Sequence, residues 1–321
     1  MSRTKHVSEH GMADQSQFPK EQSETGEFER QEDAFRHPLA EPPTNGRYHL
    51  YVSLACPWAS RALIVRNLNG LQDAIGVTVA DPVRDERGWA FRDGPGFSHD
   101  PVNGFRFLSE AYKATDPGFD DRVTVPVLWD NQTRKILNNN EDDICRMFCT
   151  EFAPLAPLAA HPVDLFPKEI AGEQAELSAF LYETVNNGVY RAGFATSQEV
   201  YERACRTLFQ SLDTLEERLA TRRYLFGKQI VESDWRLFCT LIRFDAVYYT
   251  HFKCNLRRIL DYPNLQGYLM DLYQQPGIAE TVSFDQIKRH YYLTHDEINP
   301  TRLVPIGPLL DLTLPHGREF L

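Results

Sequence analysis

Apolar positions follow two regimes along this chain. Short β-branched and aromatic runs dominate up to about residue 150, and helical spacing dominates after about 165. The first 46 positions are polar, rich in Glu, Gln, Ser and Pro, and read as an extended or partly disordered arm. Its apolar points, Phe18, Phe28 and Phe35, are placed to pin it to a folded surface. Order is expected from Tyr48, where the run Tyr48 to Leu54 predicts a buried strand. Beyond Cys56-Pro57-Trp58, apolar residues recur at helical spacing (Ala62, Leu63, Val65, Leu68). They predict a helix beginning at Pro57, the position where a missing N–H is harmless. Ile75 to Ala80 reads as a second strand, giving a βαβ start.

Residues 83–121 carry Gly, Pro, Asp and Arg and predict a long loop or insertion. Val123 to Trp129 predicts the next strand. Its Pro126 cannot donate to a ladder, so it marks an edge or a strand start. Lys135 to Leu137 predicts a hairpin partner, and Glu141 to about Thr150 a short helix. Four prolines within 152–167 mark a linker, beyond which helices are expected over about 168–187, 198–220, 233–250 and 264–275. The expected organisation is an arm (1–46), an α/β domain (47–155) and an all-α domain (165–321), without internal repeats.

Composition narrows the function class. Hydrophobic residues are 42% and charged residues 25% of the 321, ordinary for a globular protein. The formal net charge of −11 argues against a general nucleic-acid binder, which needs a basic face. No run approaches the roughly 18 apolar residues of a membrane helix, and the first residues lack the apolar core of a secretory signal. The six cysteines include no Cys-x-x-Cys pair, so reduced thiols and a cytoplasmic location are expected rather than a disulfide framework. No clustered Cys/His spacing suggests zinc, and no metal is expected.

Cys56 stands apart from the other five. A thiol is nucleophilic only as thiolate, and unpaired N–H groups at a helix start favour the anion. The strand-Cys-Pro-helix order places Cys56 at such a start, so a stabilised thiolate is expected. The alternative reading of Cys56 alone is a small buried hydrophobe. Cys145, Cys149, Cys205, Cys239 and Cys254 read as packing residues, with Cys145 and Cys149 four apart on one helix. Residue 59 is Ala where a dithiol enzyme would carry its second cysteine, so an external thiol must resolve any mixed disulfide.

The segment Tyr51-Val52-Ser53-Leu54-Ala55-Cys56-Pro57-Trp58-Ala59 resembles the active-site segment of the glutathionyl-hydroquinone reductases, the Xi class of glutathione transferases, an Omega-like cysteine type. The resemblance continues, in order, through Arg87-Gly88-Trp89, Val123 to Asp130, Asn186 to Thr196, Leu241 to Tyr248, His251 to Cys254, His290-Tyr291-Tyr292, Ile298 to Thr301 and Pro315 to Arg318. It implies a thioredoxin-like N-terminal domain with a cis Pro126, an all-helical C-terminal domain, and an active site in the cleft between them. Cys56 would attack the sulfur of a glutathionyl-hydroquinone, and a second glutathione would release it from the mixed disulfide. Tyr190, Tyr248 and Tyr291 match the tyrosines around the hydroquinone. Trp89 matches the residue packed on the tripeptide, the Val125 backbone the partner of its cysteinyl part, and Glu141 the acid at the γ-glutamyl amine. Arg92 is a candidate for the glycine carboxylate. The resemblance also implies a homodimer.

This chain departs from the family pattern at three places. Asp142 stands where serine is usual, which would set a carboxylate against the γ-glutamyl carboxylate and leaves a different low-molecular-weight thiol, such as mycothiol, as an alternative. Ser60 replaces a histidine and is expected to point along the helix past the thiol. Val231 lacks the hydroxyl of an N-cap, a loss of about 1 kcal/mol that Asp234 can offset by reaching back. Other readings stay open: a conjugating transferase, which Cys56 disfavours; a deglutathionylase or dehydroascorbate-type thiol transferase, disfavoured by the tyrosines; and a non-catalytic binding module, disfavoured by Cys56, Pro126 and Glu141 together.

Overall fold

The computed structural model describes residues 21–157 and 163–321. The expected contact of Phe18 and the middle of the expected linker lie outside the described residues.

Strand β1 (Tyr48–Val52) is buried at every position, as its unbroken apolar run requires. Helix α1 (Pro57–Leu68) returns the chain to β2 (Ile75–Val79), which pairs parallel with β1. Strand β3 (Val127–Asp130) lies antiparallel to β1 and to β4 (Lys135–Asn138), giving the order β2-β1-β3-β4. With α3 (Glu141–Cys149) packed on α1, this is a thioredoxin-like unit. The Val125–Pro126 bond is cis, and β3 begins only after it. The expected strand over 123–129 is therefore shortened at its front, with Pro126 at its start. The expected loop over 83–121 contains a helix, α2 (Ser109–Thr115). Only Ala111 and Tyr112 of its seven residues are buried, too few to register a period.

The second half is helical. Helix α4 (Ala171–Leu181) passes through a single π turn (Tyr182–Asn186) into α5 (Gly188–Gly193), so the expected helix over 168–187 is divided. Helix α6 (Gln198–Leu219) is next, then α7 (Glu232–Arg243), which ends in a second π turn (Phe244–Tyr248). The chain continues through α8 (Pro263–Tyr273) and α9 (Phe284–Thr294). Helix α9 was not expected from the sequence.

All twelve residues of α7 are buried, including its charged ones. Each of those has a partner. Asp234 accepts from the backbone N–H of Val231 at 2.8 Å and of Leu225 at 2.9 Å, and from the Tyr268 hydroxyl at 2.9 Å. The missing hydroxyl at Val231 is thus offset as expected.

The arm corrects the expectation that order begins at Tyr48. From Gln22 on it takes a defined path without helix or extended strand pairing. Phe28 is buried against Phe194 at 5.3 Å, and Phe35 against Tyr112 at 5.6 Å. Full burial of one such ring stabilises by about 1.5–3 kcal/mol, enough to hold a polar segment in place.

Candidate active site

A cleft of about 660 Å³ runs between the sheet and the helices, with Cys56 among its lining residues. Cys56 is the N-cap of α1 and has an extended backbone (φ −81°, ψ 122°). Its Sγ donates to the Val125 carbonyl at 3.5 Å, so the residue before the cis proline faces the sulfur. Two effects act on the expected thiolate in opposite directions. Burial pushes the Cys56 thiol above its ordinary value, against the opposing pull of the Ala59 N–H, Arg243, the Trp58 N–H and Arg30. The N–H groups of the helix start favour the anion, and desolvation opposes it.

Arg243, at the end of α7, fixes the loop that carries the thiol. Its guanidinium donates to the Ala55 carbonyl at 2.9 Å, the Leu54 carbonyl at 2.8 Å and the Ser60 hydroxyl at 2.6 Å. Ser60 therefore does not point free along the helix; it is buried against Arg243.

The three tyrosines converge although they come from α5, the second π turn and α9. Tyr190 and Tyr291 line the cleft with hydroxyls 2.6 Å apart, and the Tyr248 hydroxyl lies 3.0 Å from that of Tyr291. Tyr248 is fully buried behind the other two and does not line the cleft. Burial pushes all three phenols up, so each stays protonated at neutral pH. Trp89 lines the cleft, stacked at 5.0 Å on His290, whose Nδ1 donates to the Pro82 carbonyl at 2.7 Å.

Glu141 and Asp142 open α3 at the other end of the cleft. Arg61 reaches Glu141 at 3.0 Å, Glu232 at 2.5 Å and also Asp142; Arg236 reaches Asp142 at 2.5 Å. Burial, partly offset by Arg61, pushes Glu141 up to about 7. Against the burial that would raise it, Arg61 and Arg236 hold Asp142 well below the usual carboxylate range. The charge of Asp142 is therefore met within the protein, which weakens the like-charge objection to a ligand carboxylate.

Arg92 is not part of this site. It pairs with Asp81 at 2.7 Å, outside the cleft lining. Among the cations that do line it are Arg84, stacked over Trp89 at 5.1 Å, and Arg122, bound to the Glu21 carboxylate. Sequence reasoning also missed the contribution of the arm: Glu21, Arg30, Asp33 and Arg36 all line the cleft. The signal available was the anchoring pair Phe28 and Phe35, which fixes the path of everything between them.

Residues 55–151 match the glutathione S-transferase N-terminal domain family, and residues 198–269 the glutathione S-transferase C-terminal domain family. The chain is 50% identical to glutathionyl-hydroquinone reductase YqjG of Escherichia coli (strain K12), over 92% of this chain and 93% of that protein. It is 46% identical to glutathionyl-hydroquinone reductase PcpF of Sphingobium chlorophenolicum, over 89% of this chain and 91% of that one. Two solved structures are similar. Glutathione-bound YqjG gives a TM-score of 0.84 at 51% identity, covering 87% of this chain and 90% of that one. The glutathione S-transferase Xi of Phanerochaete chrysosporium gives 0.85 at 47% identity, covering 88% and 98%.

Proposed function

Because the chain belongs to the glutathione S-transferase family, in its Xi class of glutathionyl-hydroquinone reductases, we propose that it reduces glutathionyl-hydroquinones with glutathione, through Cys56. The observation that carries this is the meeting in one cleft of the Cys56 sulfur, the Val125 carbonyl and the hydroxyls of Tyr190 and Tyr291.

The Cys56 thiolate attacks the conjugate sulfur. A sulfur–sulfur bond forms, the sulfur–carbon bond breaks, and the electron pair stays on the ring carbon. A phenol at Tyr190 or Tyr291 gives that carbon its proton, with Tyr248 behind them to share the charge left on oxygen. A second glutathione gives its thiol proton to that phenolate and attacks the mixed disulfide as thiolate, returning the Cys56 thiolate and releasing glutathione disulfide. The Val125 carbonyl, which holds the resting thiol hydrogen, is positioned to accept the cysteinyl N–H of the ligand. Trp89 packs on the tripeptide, Glu141 meets its amine, and Arg84 and Arg122 take the glycine carboxylate in place of Arg92.

The direct test is turnover of the menadione–glutathione conjugate with excess glutathione. Hydroquinone and glutathione disulfide should appear in equal amounts. Turnover with another thiol but not with glutathione would move the co-substrate assignment, and inactivity with every thiol would end the reading.

Glu141 gives the reaction a pH signature. A ligand ammonium favours the ionised carboxylate, so glutathione binding should tighten as pH rises through about 7 and then level off. Binding below pH 7 should also release a proton, measurable by titration calorimetry in buffers of different ionisation enthalpy. Glu141→Gln should flatten this dependence and weaken binding about tenfold or more, the size of a charge-assisted hydrogen bond. An unchanged pH dependence in that variant would remove Glu141 from the amine site.

The reading includes a homodimer. Its support is an apolar C-terminal tail in which Leu303, Ile306, Leu309 and Phe320 are strongly exposed. Light scattering should give twice the chain mass; a monomer at micromolar concentration would exclude it. No helix among the described residues is long and apolar enough to cross a membrane. A cytoplasmic setting is proposed from the six unbridged cysteines.

A further inference from the structure

Arg30 is delivered to the cleft by the arm, outside every motif that carries the family resemblance. Its guanidinium lies 4.2 Å from the Trp58 ring centre, 5.1 Å from that of Tyr190 and 5.5 Å from that of Phe28. Trp58, two residues beyond Cys56, meets Tyr190 edge-on at 5.2 Å. All of these except Phe28 line the cleft with the thiol. Each ring face attracts a cation through its quadrupole, more strongly as water is excluded.

The charge of Arg30 has no acid of its own. Its side chain makes one hydrogen bond, from Nε to the Asn187 side-chain oxygen Oδ1 at 3.3 Å, and no ion pair among the described residues. Arg61, Arg122 and Arg236 each sit on a carboxylate. Asp33, which feels the charge of Arg30, instead accepts from Asn140 at 2.8 Å. Arg30 is half-buried, and an anion that forms beside its charge is stabilised by it. Other groups face the Cys56 sulfur: Arg243 and Cys239 from α7, Arg84 from the loop after β2, and Tyr190 from α5. Arg243 holds the Leu54 and Ala55 carbonyls, which are neutral, so its charge also acts on the sulfur; Cys239 and Tyr190 are neutral. Arg84 stacks on Trp89, at the tripeptide side.

We propose that Arg30 is a positioning residue that acts through Cys56, adding to the charge of Arg243 a second fixed positive charge that stabilises the sulfur as an anion. The arm is then part of the active site rather than a tether. The proposal rests on Cys56 being the nucleophile, and its test separates the two.

Iodoacetamide, an uncharged reagent, is used to measure alkylation of the full chain against pH, with Cys56→Ser giving the background of the other five thiols. Arg30→Met should move the midpoint of the Cys56 profile up by about one unit, the effect of removing an opposite charge nearby, with a matching loss of rate at pH 7. Arg30→Lys, which keeps charge but not the planar stack, should restore most of the shift. Superimposable wild-type and Arg30→Met profiles would overturn the proposal. So would a shift in Arg30→Lys equal to that in Arg30→Met, because charge would then not be the agent. Wild-type labelling no faster than Cys56→Ser would bring down the nucleophile reading itself.

Discussion

Cys56→Ser should lower turnover of the menadione–glutathione conjugate by about a thousandfold or more while leaving the fold intact. The reaction needs a sulfur that can form a disulfide with the glutathionyl sulfur and then surrender it. A serine hydroxyl titrates far above neutral pH and forms no comparably exchangeable bond to sulfur. The substitution is nearly isosteric, and the side chain is only partly buried, so little packing is lost. Thermal melting should therefore stay within a degree or two of wild type. Mass spectrometry offers a second readout: wild type given the conjugate without excess glutathione should carry one glutathionyl adduct, on Cys56. Full activity in the serine variant would point instead to a hydroxyl-activated conjugating transferase.

Arg61→Met should be strongly destabilising, by about 3–5 kcal/mol, the cost of removing one partner from a buried ionic cluster. Arg61 is buried among Glu141, Asp142 and Glu232, joining α1 to α3 and α7. Without it only Arg236 remains against three carboxylates, and Glu141 keeps no cation. Removing the arginine should push Glu141, which burial already raises, further up. Its neutral form then carries the stability, which is present at low pH and lost as pH rises through the raised value. The deficit measured by denaturant unfolding should therefore be larger at pH 8 than at pH 5.5. A deficit under about 1 kcal/mol at pH 8 would mean that the cluster is largely hydrated and contributes as little as a surface pair. Glutathione should narrow the gap, because its ammonium adds a cation at Glu141.

Much of this was legible in the chain, for reasons that differ by residue. Cys56, Pro126 and the strands around them are local: a β-branched run, a Cys-Pro boundary and a proline at a strand start occupy adjacent positions. Tyr190 and Tyr291 were found through motifs, since no periodicity brings α5 and α9 together. Helix α9 itself was not expected, because Asp285, Lys288 and Arg289 interrupt its apolar positions. At Cys56 the helix start is visible in sequence, whereas the desolvation that opposes its effect is set by the depth of the cleft and is not. Arg92, a candidate in sequence, pairs with Asp81, whereas Arg84 and Arg122 reach the cleft by tertiary folding. The arm was invisible as a wall of the site because its composition is that of a disordered segment, and two phenylalanines decide otherwise.

The two π turns bear on how such a site diverges. A π turn is a single extra residue absorbed within a helix instead of a loop. Phe244–Tyr248 is one, and Tyr248 closes it. Removing one residue there would restore a regular helix and rotate the downstream residues by about 100°. Tyr248 would swing away from the Tyr291 hydroxyl while the helix survived. Substitution can change what a side chain at 248 is; only an insertion or deletion can change where it aims. The aromatic end of the cleft is thus tuned by chain length inside helices, and single-residue deletions across 244–248, scored on hydroquinones of different shape, should shift substrate preference more than point changes at the same positions.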